Sequence, residues 1–178
     1  MRDFRNEILK STVKVFGTCG VKFTLDDIAR DLAISKKSIY KYFDGKEDII
    51  RAVIDWVFED IEQQHYKLLE RTDLDPVTKL KHILIAMPTV LPMTDNQVSK
   101  LKELYPQMYQ YVLDHFMSKW DLTLRVLDDC IAQNLLRPIP HAYFKTILVG
   151  IFDAAIASED YLDTVEQCVE WVFRGLQP

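Results

Sequence analysis

From Lys46 to Arg71 the chain carries neither glycine nor proline. Across that stretch Ile49, Ile50, Val53, Ile54, Val57, Phe58, Ile61 and Leu68 recur at helical spacing. This is the apolar stripe of one helix of about 25 residues. The flanking sequence follows the same period. Phe4, Ile8, Leu9, Thr12, Val15 and Phe16 line one face of a first helix, punctuated by Gly17 and Gly20. Thr24 opens a second helix as TLDD, with Asp27 placed to complete a capping box and Leu25, Ile28, Ala29 and Leu32 facing inward. A short break at Ala33-Ile34 leads to a third helix from Ser35 to about Phe43, stopped by Asp44-Gly45.

Beyond the long helix, DLDP at 73–76 places Pro76 in the first turn of another helix, which ends or kinks at Met87-Pro88. A short polar-capped segment covers Thr94 to Tyr105. Pro106 then opens a long helical pattern reaching Leu136, closed by RPIP at 137–140. Two last helices are expected from His141 to about Ala157 and from Tyr161 to about Leu176. No stretch shows useful strand alternation, and no internal repeat or low-complexity tract appears. The fold class is all-α.

With 48% apolar residues and only five glycines in 178, the chain reads as a packed globule rather than a disordered one. No apolar run reaches the roughly 18 residues of a membrane span. The amphipathic start, MRDFRNEILK, does not read as a secretory signal. Cys19, Cys130 and Cys168 are far apart and form no CxxC pair, which suits small buried thiols in a reduced, cytoplasmic protein. The net charge of −5 argues against a general nucleic-acid binder, but charge is unevenly placed. Residues 1–50 hold ten Lys/Arg against eight Asp/Glu, and residues 51–178 hold twelve against nineteen. A mildly basic head on an acidic body is what a localised DNA site requires.

That head contains ISKKSIYKYF at 34–43, with three lysines and two tyrosines in ten positions. Ser35 suits an N-cap, yet Lys36 and Lys37 follow it, although helix first turns favour acidic residues. Two short helices joined by a tight turn match the helix-turn-helix layout, whose second helix lies in a DNA major groove. On a helical wheel Ile39 and Phe43 point inward, Lys37, Ser38 and Lys41 project the other way, and Tyr40 and Tyr42 flank them. A phosphate at that helix end satisfies amides and lysines together. The phenols can donate to phosphates while Lys37, Ser38 and Lys41 approach base edges. Lys46 repeats the lysine-first signature on the following long helix.

At ILKSTVKVFGTCG (8–20), KFTLDDIARDLAIS (22–35) and KKSIYKYFDGKEDII (36–50) the sequence resembles the tetracycline-repressor (TetR) family of bacterial transcriptional regulators. Thr24, Ile28-Ala29, Tyr40, Tyr42-Phe43 and Lys46-Glu47 match the family pattern over about 45 residues. The resemblance implies an N-terminal three-helix helix-turn-helix DNA-binding domain over 1–47 and a C-terminal helical ligand-binding and dimerisation domain over 48–178. It implies that Thr24, Tyr40, Tyr42 and Lys46 contact phosphates. Lys36, Lys37, Ser38 and Lys41 then sit at or near the groove, with Ser35 capping the helix that presents them. One departure is visible: the turn between the second and third helices commonly holds glycine, and here it is Ala33. If φ is positive there, alanine adds strain of about 1–2 kcal/mol.

In the body, the proline-interrupted stretch MPTVLPM (87–93) breaks helical packing and leaves room for a small apolar effector. Candidate lining residues are Trp56, His65, Met87, Met93, Tyr105, Tyr109, Phe116 and Trp120. His65, His82 and His115 show no HExxH spacing, so no metal and no cofactor are expected. The last two helices carry apolar faces wider than one small domain can cover. Phe144, Leu148, Ile151, Phe152, Val165, Val169 and Val172 are the expected dimer face, and the resembling family pairs its final helices in this way. A two-fold homodimer would set two recognition helices roughly 34 Å apart on a pseudo-palindromic double-stranded DNA operator. The expected function is a dimeric repressor released by a small apolar ligand. The alternative is a DNA-binding protein without such an effector, controlled by a protein partner. No nucleophile elbow or phosphate-cradling glycine loop points to an enzyme.

Overall fold

The protein is described here by a computed structural model covering residues 4–90, 95–155, 158 and 160–178. All regular structure among the described residues is helical. Helix α1 spans Phe4–Cys19 and is followed by a 3-10 turn at Gly20–Lys22. Then come α2 (Leu25–Asp31), α3 (Lys36–Ile39), α4 (Lys46–Glu70) and α5 (Pro76–Ile85). The chain continues through α6 (Asp95–Leu104), α7 (Pro106–Ser118), α8 (Asp121–Ala132), α9 (His141–Ala155) and α10 (Tyr161–Leu176).

Packing divides the chain into two units. One comprises Met1–Asp60 with Pro88–Asp114, the other Ile61–Met87 with His115–Pro178. The division does not fall at the expected 47/48 boundary, for a physical reason. Ile49, Ile50, Val53, Ile54 and Val57 of α4 are buried in the first unit, so the long helix completes the head's core before it leaves it. Asp60 also holds the segment after α5 in that unit, accepting from the Thr89 N–H at 2.6 Å and from its hydroxyl at 3.0 Å.

In the first unit α1 packs on α2 and on the 3-10 turn, and α2 packs on α3. Ile8, Val21, Phe23, Ile28, Ile39 and Phe43 are all buried to 2% exposure or less. In the second unit α5 packs against α8 and α10, and α9 against α10. Leu80, Leu127, Cys130, Phe144, Leu148 and Phe173 are fully enclosed there. Burial pushes the Cys130 thiol up to about 11, so it stays protonated and inert at neutral pH.

Two helices end in the same way. After α2 the Ala33 N–H bonds the Arg30 carbonyl at 3.2 Å and the Ile34 N–H bonds the Ala29 carbonyl at 2.9 Å. After α8 the Asn134 N–H bonds Ile131 and the Leu135 N–H bonds Cys130, both at 2.9 Å. These are paired Schellman bonds, which need a left-handed residue between the helix and its exit. Ala33 has φ 52° and Asn134 has φ 57°. Asparagine tolerates that region, whereas alanine carries the strain anticipated for it.

The expected single pattern from Pro106 to Leu136 is two helices. The break at Lys119-Trp120 holds no glycine or proline. Trp120 leaves the helical run and is 4% exposed, edge-on to Phe116 at 5.4 Å and to Phe144 at 6.3 Å between ring centroids. Burial of the indole outweighs the lost helical bonds.

Replacing Ala33 with glycine should relieve the left-handed strain and stabilise the protein by about 1 kcal/mol. Urea unfolding measures this as a higher midpoint at unchanged slope, and a lower midpoint would contradict the turn geometry.

Candidate nucleic-acid interface

A four-residue helix such as α3 has no stability of its own, because nucleation costs more than one turn returns. Its hold comes from both ends and one face. Ser35 caps it, accepting from the Ser38 N–H at 3.2 Å. The Phe43 N–H reaches the Ile39 carbonyl at 3.1 Å, carrying the helical turn on past Ile39. Ile39 is fully buried and Phe43 is 2% exposed. Burial of each such side chain contributes roughly 1.5–3 kcal/mol, enough to fix the segment against α2. The outward positions are then Lys37 and Lys41, with Ser38 half-buried between them and Tyr40 and Tyr42 exposed on the flanks.

The four lysines around this face are in two different conditions. Lys36 is ion-paired to Asp26 of α2, Nζ to Oδ2 at 2.7 Å, and that carboxylate raises its pKa. Lys46 is half-buried, and its Nζ donates to the Val21 carbonyl at 2.8 Å. Lys37 and Lys41 have no ionic partner among the described residues. The lysine-first opening of α3 is therefore partly answered inside the protein by Asp26. At α4 the expectation needs correction: its first turn also holds Glu47 and Asp48, and Asp48 accepts from the Asp44 N–H at 3.0 Å.

Thr24 is exposed at the head of α2 in a complete capping box. Its N–H donates to Asp27 Oδ2 at 2.8 Å and its hydroxyl to the same oxygen at 2.7 Å. Those bonds, the hydroxyl's first, hold the Asp27 carboxyl below its usual range. Tyr42 stacks on Phe4 of α1 with ring centroids 6.3 Å apart, which orients the phenol while leaving it 44% exposed. Thr24 at the head of α2 and Ser35, Lys37, Tyr40, Lys41 and Tyr42 in and around α3 are thus all exposed.

The expected dimer residues turn out differently. Phe144, Leu148, Val165 and Val169 are at most 2% exposed, in the core of their own unit, and Phe152 lies against Phe116 at 4.9 Å. Ile151 and Val172 are partly buried against the same core. On these two helices the exposed apolar side chains are instead Tyr143, Ile147, Leu162 and Trp171. Both helices carry apolar residues on two faces, and spacing alone does not say which face the chain covers itself.

The expected effector residues divide between the units. Trp56, Tyr105 and Tyr109 belong to the first, with Tyr109 buried beneath Lys102. His65, Met87, Phe116 and Trp120 belong to the second, while Met93 lies outside the described residues. Phe116 and Trp120 are brought into contact. Two buried polar atoms of this set have no partner, His65 Nε2 and Trp120 Nε1. A groove of about 590 Å³ in the second unit is lined by none of them. Its walls mix charged Lys81, His82, Asp163, Glu166, Glu170 and Arg174 with apolar Ile85, Val169 and Trp171.

Removing Asp26's charge should release Lys36. The Asp26→Asn variant is expected to bind duplex DNA more tightly, with log K falling more steeply against log salt by up to about one unit. Fluorescence anisotropy at several salt concentrations measures it, and an unchanged slope would mean that Lys36 never reaches a phosphate.

The family described as bacterial regulatory proteins, tetR family, matches residues 8–53, the stretch that builds this interface. An uncharacterized HTH-type transcriptional regulator of Bacillus subtilis (strain 168), YvaF, is 26% identical over 179 residues, covering 95% of this chain and 93% of the relative. Among solved structures, a TetR transcription regulator from Haloarcula marismortui superposes with a TM-score of 0.78 at 18% identity, over 100% of both chains. A TetR/AcrR-family regulator from Thermobifida fusca gives 0.72 at 18% identity, over 99% of this chain and 100% of that one. At such identities the structures speak for the fold alone. No helix among the described residues is long and apolar enough to cross a membrane. Residues 8–53 match the tetR family of bacterial regulatory proteins, and along nearly its whole length the chain is similar to an HTH-type transcriptional regulator, which together support a DNA-binding regulator.

Proposed function

We propose that the protein acts in the cytoplasm as a homodimeric repressor of a pseudo-palindromic operator and is released by a small, largely apolar effector. The observation that carries the DNA part is the pair Lys37 and Lys41. Both are exposed and without an ionic partner among the described residues, on a turn whose other face is locked by Ile39 and Phe43. Ammonium groups so placed suit base edges and phosphates together. Thr24, Tyr40 and Tyr42 supply hydroxyls for phosphates on either side, which fix register without reading sequence.

The dimer reading rests on α9 and α10, with its face redrawn. Tyr143, Ile147, Gly150 and Ala154 recur along the exposed side of α9 at helical spacing. Trp171 and Gly175 are exposed on α10. A solvent-facing glycine inside a helix costs about 1 kcal/mol relative to alanine, and nothing in this chain approaches Gly150 or Gly175. Small residues along an apolar stripe allow the backbone of a second copy to come close.

The effector reading rests on His65 and Trp120. Burial lowers the His65 pKa, which keeps the ring neutral at neutral pH. Nε2 of that ring is a buried polar atom without a partner. Trp120 Nε1 is a bare donor within an aromatic cluster of Phe116, Phe144 and Phe152. Buried polar atoms left without partners are destabilising, and a ligand carrying a complementary group removes that cost.

Two experiments test the reading. Fragments of the source genome bound by the wild type define the half-site, and Lys37→Ala should change which base is preferred within it. Altered affinity at constant preference would move Lys37 out of the groove. In sedimentation analysis, Tyr143→Glu with Ile147→Glu should give folded monomers, whereas Phe144→Ala should lower stability by about 3–5 kcal/mol without dissociating the dimer. A dimer that survives the first pair refutes the redrawn face.

A further inference from the structure

The amide end of α4 is served by its own acidic residues, so the position of Lys46 calls for another explanation. Besides its bond to the Val21 carbonyl, the Lys46 ammonium lies 4.5 Å from the Phe23 ring centroid and 5.1 Å from that of Tyr105. Val21 and Phe23 belong to the head, in and just after the 3-10 turn. Tyr105 does not. It is the one residue between α6 and α7: its N–H ends α6 on the Leu101 carbonyl at 2.8 Å. Its own carbonyl starts α7, accepting from Met108 at 2.9 Å and Tyr109 at 3.0 Å. The ring's position is therefore set by the joint between two helices, and α6 itself packs on the 3-10 turn. Helix α7 runs on without a break from the first unit into residues of the second.

We propose that Tyr105 is a positioning residue that latches Lys46, so that the α6–α7 joint decides whether this ammonium is available to a DNA phosphate. This rests on the DNA-binding reading above and adds its regulation. An ammonium bonded to a carbonyl and faced by two aromatic rings is well satisfied where it is. A phosphate must compete with those three groups for it. Moving the Tyr105 ring removes one of them and frees a cation beside a face that already presents Lys37 and Lys41. Any event that shifts α6 or α7 then changes the number of phosphate contacts without touching the recognition turn.

The test uses the full chain and a mixed-sequence duplex of about 30 base pairs, because phosphate contacts are independent of sequence. Tyr105→Leu removes the ring face, and Tyr105→Phe keeps it. Tyr105→Met serves in place of leucine should that variant unfold, and thermal unfolding establishes that each is folded at the assay temperature. Tyr105→Leu should bind about two- to five-fold tighter, with a salt slope steeper by up to about one unit. Tyr105→Phe should match the wild type. In a Lys46→Gln background the leucine substitution should do nothing. Equal tightening in that background, or no change from Tyr105→Leu, overturns the latch and leaves DNA binding standing. A wild-type chain that ignores the duplex at low salt overturns both.

Discussion

Everything this protein does with DNA depends on holding one short turn that cannot hold itself. The α3 segment is stabilised from beneath, by Ile39 and Phe43, and from the side, by the Schellman closure that ends α2. That closure forces Ala33 into the left-handed region, a local cost accepted because the two hydrogen bonds fix the angle between the helices. Apolar burial supplies the energy and the capped helix ends supply the direction. The outward ammonium groups of Lys37 and Lys41 contribute to neither, which leaves them available for a ligand.

The charge pattern is more selective than its sequence suggests. A run of lysines reads as one basic patch, yet the folded chain sorts them. Asp26 takes Lys36 and the Val21 carbonyl takes Lys46, while Lys37 and Lys41 stay outward. Partial neutralisation of this kind lowers indiscriminate attraction to any polyanion and leaves the free positive charge of the turn on Lys37 and Lys41. The acidic remainder of the chain works in the same direction at longer range.

The head was largely legible from residue types because its determinants are local. The capping box at Thr24, the Ser35 cap, the Ile39/Phe43 pair and the 25-residue run of α4 all follow from spacing within a few residues. What was not legible depends on contacts distant in sequence. The break before α8 has no breaker residue and exists because Trp120 finds Phe116 and Phe144. On α9 and α10 the inner and outer apolar stripes look alike until the packing of α5 and α8 shows which is covered. Lys46 opens α4, yet its carbonyl partner lies 25 residues back in the chain.

Helix α4 has one further consequence. Its 25 residues span about 37 Å without a glycine or proline to absorb bending, and its two ends are built into different packing units. For a rod of that length, a tilt of only about 5° carries the far tip through roughly 3 Å. That is the difference between a formed and an absent hydrogen bond. Small angular adjustments, below what would disturb either core, are thus amplified into distances that polar recognition can sense.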